Sequence, residues 1–196
     1  MTQAAELTTF QVEFSKLGEA RFLSHLDLSR SMEFALRRCR VPMAFSSGFH
    51  PRPKIHFESA LPLGWESERE CMWLDFEADY PCRELHGRLE QTVPSCLNIL
   101  RVQRVEKRSN SSETRIYQVE GLCVKNEAHS QLAAFGKSQS GEPCAEFCQK
   151  DGAQIFTLRY SAPKEEPPSL KKVLKALYEG EVPENFRVTR LVEARQ

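Results

Sequence analysis

Positively charged side chains, histidines and an aromatic ring are concentrated between Arg21 and Lys54. Two stretches carry most of them, RFLSHLDLSR at residues 21–30 and SSGFHPRPK at residues 46–54. Arginine and lysine bind phosphate oxygens, and an aromatic ring among them can stack on a nucleic-acid base. This chemistry favours a non-catalytic binding module for an RNA-like or other anionic substrate. The candidate contacts are Arg21, His25, Arg30, Arg37, Phe49, His50, Arg52 and Lys54.

The second stretch predicts a stiff loop. Pro51 and Pro53 fix their own φ angles and push the preceding residues, His50 and Arg52, toward extended conformations. Gly48 permits a positive φ or a close approach of the backbone. Such a loop would display its cationic side chains around one aromatic ring. The alternative is an ordinary connection between strands, with that ring anchored in the core.

The histidines allow an enzymatic interpretation. His25 lies at the start of a predicted helix, from which it could reach the loop and form an acid–base pair with His50. An RNA-processing or base-modifying enzyme could use these two histidines as its general acid and base. The same two side chains could instead bind a metal together with His56. A histidine near a helix N-terminus can also be a purely structural, hydrogen-bonded residue.

Other kinds of reactive site lack their motifs in this sequence. The seven cysteines form neither the iron–sulfur spacing nor the paired Cys-x-x-Cys of zinc sites. Phosphate-binding Gly-rich loops and the Gly-x-Ser-x-Gly elbow are also missing. We therefore expect buried thiols and no cofactor.

An amphipathic helix is predicted at residues 24–39. Ser24 is the expected N-cap, with Asp27 three residues later, and Leu23 and Leu28 are spaced as a hydrophobic staple. One face carries Leu28, Met32, Ala35 and Cys39, and the opposite face carries Arg30, Glu33 and Arg37. The three charged residues could be ligand contacts, or only a salt-bridge ladder on a solvated face.

The rest of the chain predicts two similar successions of elements. Phe10, Val12 and Phe14 alternate with polar residues and predict the first strand. In the first half, further strands are expected at 41–46, 54–61, 71–78 and 97–105, and a second helix at 82–91. In the second half, strands are expected at 114–120, 145–150, 153–160 and 186–193, with helices at 126–137 and from Pro167 onward.

These elements predict an α+β fold made of two tandem ferredoxin-like units. If the short strand at 41–46 of the first half is left aside, the predicted elements of each half follow the order β-α-β-β-α-β. The polar segment 107–113 is the expected linker between a first unit at 1–106 and a second unit at 114–196.

The formal net charge of zero argues against a protein that coats polyanions indiscriminately. The charge is nevertheless uneven: residues 16–54 carry eight basic and three acidic side chains, and residues 65–90 carry three basic and eight acidic ones. The acidic stretch makes a protein-interaction adaptor the third possibility. No apolar run is long enough to span a membrane and the N-terminus does not resemble a secretory signal, so we expect a cytoplasmic protein.

Several short motifs in the first half resemble the radical-SAM-linked protein family. They are FSKxG at 14–18, RFLSHLD at 21–27, GFHP at 48–51, PK at 53–54 and LPLG at 61–64. This family is a bacterial domain of unknown function, found fused behind cobalamin-binding-type radical SAM proteins or encoded as a separate chain. The resemblance implies the separate form and a radical SAM protein as partner, but no reaction. Arg52 departs from the family pattern, which argues against a metal site built from two loop histidines.

Overall fold

The computed structural model describes residues 7–108, 115–120, 144–150, 153–160 and 187–191. The chain divides into two units, Met1–Asn110 and Ser111–Gln196. The division lies within the segment 107–113 that was predicted as a linker. Strands and helices are both present, so the fold is α+β, as predicted.

The first unit is an antiparallel sheet with two α-helices. Its strands are β1 (Thr8–Lys16), β2 (Ile55–Phe57), β3 (Glu66–Phe76) and β4 (Leu97–Val105); its helices are α1 (His25–Cys39), α2 (Cys82–Thr92) and a short 3-10 helix (Gly18–Phe22). Strand β1 pairs with both β3 and β4, and β2 pairs with the other edge of β3. The strand order is therefore β4-β1-β3-β2, and the elements follow one another as β-α-β-β-α-β.

The core of this unit follows the predicted hydrophobic periodicities. Phe10, Val12 and Phe14 of β1 are completely buried, as the alternation with polar residues requires. Their cluster includes apolar residues of the other strands and of both helices: Leu28, Met32, Leu36, Met72, Leu74, Phe76, Leu85, Leu89, Leu97 and Ile99. These contacts fix how α1 lies against the sheet, and so fix which side of α1 faces solvent.

Helix α1 begins and ends at recognisable caps. Ser24 has an extended backbone, and its Oγ accepts a hydrogen bond from the Asp27 backbone N–H at 3.2 Å, which confirms the predicted N-cap. At the other end Arg40 adopts the left-handed conformation (φ 51°, ψ 42°), which terminates the helix. Among the described residues, no helix is long and apolar enough to cross a membrane.

Three predicted strands differ from the observed ones. Residues 41–46 form isolated bridges, Met43 with Phe76 and Phe45 with Pro53, because prolines interrupt a regular ladder here. Strand β2 has three residues, fewer than the predicted 54–61. Strand β3 begins at Glu66, before the predicted start at 71; its first residues are polar and therefore gave no hydrophobic signal, yet several are buried.

The second unit contains four antiparallel strands among its described residues. They are β5 (Arg115–Glu120), β6 (Cys144–Lys150), β7 (Ala153–Tyr160) and β8 (Arg187–Leu191). Their pairing gives the order β8-β5-β7-β6. These strands fall at the four predicted places, whereas the predicted helices at 126–137 and from 167 onward lie outside the described residues. The tandem repeat therefore stays a prediction.

Candidate functional site

Residues 44–54, here called the hairpin loop, fold back on themselves beside β3. The backbone N–H of Lys54 donates to the carbonyl of Ala44 at 2.9 Å, and that of Ser46 donates to the carbonyl of Arg52 at 2.9 Å. The Ser46 Oγ also accepts from the Arg52 N–H at 3.1 Å. Gly48 at the tip has φ +137°, a conformation that L residues rarely adopt. The predicted stiff loop is thus closed by paired backbone groups.

Arg37 connects this hairpin loop to α1. Its guanidinium donates to the Glu33 carboxylate, with Nη2 at 2.9 Å from Oε1, and to the carbonyl oxygen of Pro51 at 3.2 Å. The same group lies 5.6 Å from the centre of the Phe45 ring, within the range of a cation–π contact. The predicted ion pair between residues 33 and 37 is therefore present, and it forms part of the attachment of the loop.

The tip of the hairpin loop points into solvent. Phe49 is fully exposed, and His50 and Arg52 are exposed beside it, while Lys54 is half-buried at the base. In the described part of the chain, the side chains of Arg52 and Lys54 have no hydrogen-bond or ion-pair partner. The alternative in which this aromatic ring anchors the loop in the core is wrong, because the Phe49 side chain is fully exposed.

The solvent side of α1 continues this surface. Leu26, Arg30, Phe34 and Arg38 follow at intervals of four residues, and all are exposed; this row is called the α1 ridge. Phe34 exposes 64% of its surface, an unusual position for a large aromatic side chain. Sequence reasoning missed Phe34 and Arg38, although their four-residue spacing from Arg30 was a visible signal.

Two of the predicted ligand-binding residues, Arg21 and His25, lie near the start of α1, at the end opposite to Arg37. The Arg21 guanidinium lies 4.6 Å above the exposed Phe22 ring, and the His25 ring contacts Phe57 edge-on, with centroids 5.2 Å apart. Twelve residues of helix separate His25 from Arg37, which is about 18 Å along the axis. The eight predicted residues therefore form two groups, one at each end of α1, with Arg30 between them.

The start of α1 is held by a buried lysine. Lys16 is 1% exposed, and its Nζ donates to the carbonyl oxygens of Arg21 and Trp65, each at 3.3 Å. Glu66, also buried, accepts from the backbone N–H of Gly18 at 2.6 Å. Burial lowers the pKa of Lys16, although the nearby carboxylates of Glu70 and Glu66 act in the opposite direction. Lys16 of the FSKxG motif thus joins Arg21, the first residue of the RFLSHLD motif, to Trp65, which directly follows the LPLG motif.

A backbone hydrogen bond completes this connection. The N–H of Gly64 donates to the carbonyl oxygen of Arg21 at 2.8 Å, and Gly64 has φ +84°, which favours glycine. Residues 61–64 are in this way fixed beside the 3-10 helix. Their role here is structural.

The described structure places His56 in a contact of its own. No hydrogen bond joins His25 and His50, both of which lie in the described part of the chain. His56 lies 3.9 Å from the buried carboxylate of Asp75, which also accepts from Thr9 and Arg108. Burial, followed by the charge of Arg108, lowers the pKa of His56. Within residues 7–108 and the other described segments, no three His, Cys, Asp or Glu side chains are placed to hold a metal.

The comparisons with known proteins identify the family. A family model described as "Uncharacterized protein conserved in bacteria" (DUF2344) matches residues 9–194. The chain belongs to this family. The match spans both units, so the whole chain, and not only the motif-rich first half, is characteristic of it.

Other comparisons add little. No curated protein matches the chain. Among solved structures, an unknown protein from Galdieria sulphuraria matches with 14% identity and a TM-score of 0.31, over 94% of this chain and 98% of that one.

Proposed function

We propose that the protein is a non-catalytic binding module for an RNA-like anionic substrate, with the hairpin loop and the α1 ridge as its binding surface. The main support for this proposal is the contact of Arg37 with Glu33 and with the carbonyl oxygen of Pro51. This contact fixes the hairpin loop to the end of α1. The exposed Phe49 and Arg52 of the loop thereby belong to one surface with the ridge.

The side chains of this surface match the two chemical parts of a single-stranded nucleic acid. Arg30, Arg52 and Lys54 have no hydrogen-bond or ion-pair partner among the described residues, so their charges are available to phosphates. Two exposed rings, Phe49 and Phe34, offer faces on which bases can stack. A net charge of zero on the chain keeps binding local to this cationic region.

The role of the module in the cell is also part of the proposal. The protein would present its bound substrate to a radical SAM protein in the cytoplasm; the motif resemblance supports this class of partner. We further propose that the second unit repeats the ferredoxin-like connectivity of the first. The order β8-β5-β7-β6, with its central antiparallel pair, supports this repeat.

The proposal is tested by RNA binding as a function of salt. Purified protein is titrated with total cellular RNA at several salt concentrations, and the slope of log affinity against log salt is measured. For single strands each lost phosphate contact reduces this slope by about 0.7, so Arg52→Ala/Lys54→Ala should reduce it by roughly 1.4. Arg83→Ala/Arg101→Ala removes the same charge from exposed positions on α2 and β4 and should leave the slope unchanged.

Two results would contradict the proposal. Wild-type protein that fails to bind RNA even at low salt would exclude RNA recognition by this chain. An equal reduction of the salt slope in the loop variant and in the charge-matched control would show that RNA binding depends on total charge and not on the hairpin loop.

A further inference from the structure

A cleft beside the α1 ridge has no assigned role. It is lined by Ser31, Phe34, Arg37 and Arg38 of α1 and by Pro94, which follows α2. Its volume is about 510 Å³, within the usual range of about 300–1,000 Å³ for small-ligand sites. It is open to solvent, so an extended chain could place one of its groups inside.

Contacts between α1 and α2 fix the shape of the cleft. Arg38 Nη2 donates to the carbonyl oxygen of Thr92, at the end of α2. Arg88 of α2 donates in the opposite direction, to the carbonyl oxygen of Cys39 at 2.8 Å, and the Cys39 Sγ lies 3.1 Å from the Thr92 Oγ1. The walls therefore keep their spacing when no ligand is present.

Both arginines of the cleft are anchored but retain donors. Arg37 uses its Nε and Nη2 toward Glu33 and Pro51, and Arg38 uses its Nη2 toward Thr92. A guanidinium has five N–H donors, so both side chains can still bind an anion. Because their positions are already fixed, binding costs little side-chain entropy. This distinguishes them from the unanchored Arg30 and Arg52.

The remaining lining residues indicate which chemical group the ligand carries beside its anionic group. Phe34 is 64% exposed and offers a ring face, Ser31 supplies a hydroxyl, and the Glu33 carboxylate that pairs with Arg37 is not among the lining residues. A fixed pair of guanidinium groups beside an aromatic ring suits a phosphate attached to a planar base. An acidic peptide would satisfy the charges but would leave the ring without a matching planar partner.

We propose that this cleft holds one nucleotide of a single-stranded RNA, its base stacked on Phe34 and its phosphate bound by Arg37 and Arg38. This inference rests on the proposed function and extends it. It gives one base of the RNA a defined position, in the cleft beside Phe34.

The test compares two probes on the full-length chain. One is a fluorescent ten-nucleotide single-stranded RNA, and the other has the same backbone without bases. Phe34→Ala should weaken binding of the RNA about tenfold and leave the abasic probe unaffected, because base stacking is lost while the charges remain. Phe34→Trp should restore RNA binding. Leu100→Ala removes an exposed apolar side chain of β4, outside the proposed surface, and as the control it should change neither affinity.

The outcomes separate this inference from the broader proposal. If wild-type protein binds neither probe, both fail. If it binds RNA but Phe34→Ala binds equally well, the cleft assignment is overturned and the proposed function stands. If Phe34→Ala loses binding of a poly-glutamate peptide as strongly as of RNA, the cleft recognises anionic protein and the nucleotide assignment is wrong. Thermal unfolding confirms that each variant is folded.

Discussion

At the residue scale, the candidate surface depends on side chains that solvent does not reach. Lys16 is almost completely buried, and it connects the 3-10 helix to the residues before β3 through two carbonyl oxygens. Burying a charge is costly unless partners compensate for it, and here Glu66 and Glu70 supply the opposite charge. Removing one member of such a group leaves the others buried without compensation.

Lys16→Met should therefore lower the free energy of unfolding by roughly 3 kcal/mol at neutral pH. The measurement is urea denaturation, with Lys54→Met as a control that removes a lysine from the hairpin loop and should cost less than about 1 kcal/mol. A Lys16→Met variant as stable as wild type would show that the buried lysine contributes no net stability.

The same residue predicts a pH dependence. Burial lowers the pKa of Lys16 in the folded protein, so the unfolded chain binds this proton more tightly. The contribution of Lys16 to stability should consequently rise with pH through the alkaline interval just below the ordinary lysine pKa. The difference in unfolding free energy between wild type and Lys16→Met, measured across that interval, should rise in parallel. If the difference in unfolding free energy did not change with pH, this would contradict a lowered pKa of Lys16.

Cysteine reactivity gives a second prediction at this scale. Burial raises the pKa of Cys71 to about 12 and also raises the pKa of Cys39. Because the thiolate is the reactive form, iodoacetamide at pH 8 should modify both at least about tenfold more slowly than the half-buried Cys82 and Cys96. Peptide mass spectrometry measures the rates, and in urea the four rates should converge. Fast native modification of Cys71 would contradict its burial.

At the scale of elements, the attachment of the hairpin loop to α1 is the feature to test. Arg37→Ala removes the bonds to Pro51 and Glu33 and the contact with Phe45. Amide hydrogens of residues 46–52 should then exchange several-fold faster, since the loop keeps only its own backbone pairing. Hydrogen exchange with mass spectrometry measures this change.

The matched control for that experiment is Arg30→Ala. Arg30 lies on the same helix and has no hydrogen-bond or ion-pair partner among the described residues, so its removal should not alter exchange in the loop. Unchanged exchange in Arg37→Ala would show that the loop is held by its backbone bonds alone.

Elements with strong local signals were predicted well. The N-cap at Ser24 and the periodic apolar residues located α1, and alternation located β1. The start of β3 was missed, because Glu66 and Glu70 look like surface residues and are buried only through partners elsewhere in the chain. In the candidate site, the loop and Arg37 were predicted from residue type, whereas Phe34 was assigned no role.

At the scale of the whole molecule, the division into two units predicts a protease-sensitive segment. The boundary between Asn110 and Ser111 lies in a polar stretch, and such junctions are the usual sites of first cleavage. Limited digestion with a nonspecific protease should cut first between residues 106 and 114, giving two fragments that persist. Mass spectrometry locates the cut. A first cut within α1 or β3 would contradict the division.

The sequence by itself determined the α+β class, the places of β1 and of the strands of the second unit, the start of α1 and the concentration of cationic residues before Lys54. These features depend on local periodicity, capping and residue type, which neighbouring residues reveal. Only the tertiary structure decided that Arg37 holds the hairpin loop, that Lys16 is a buried support and that Phe34 lines a cleft with Pro94. Each of these joins residues far apart in the chain, and packing of α1 and α2 against the sheet sets their distances.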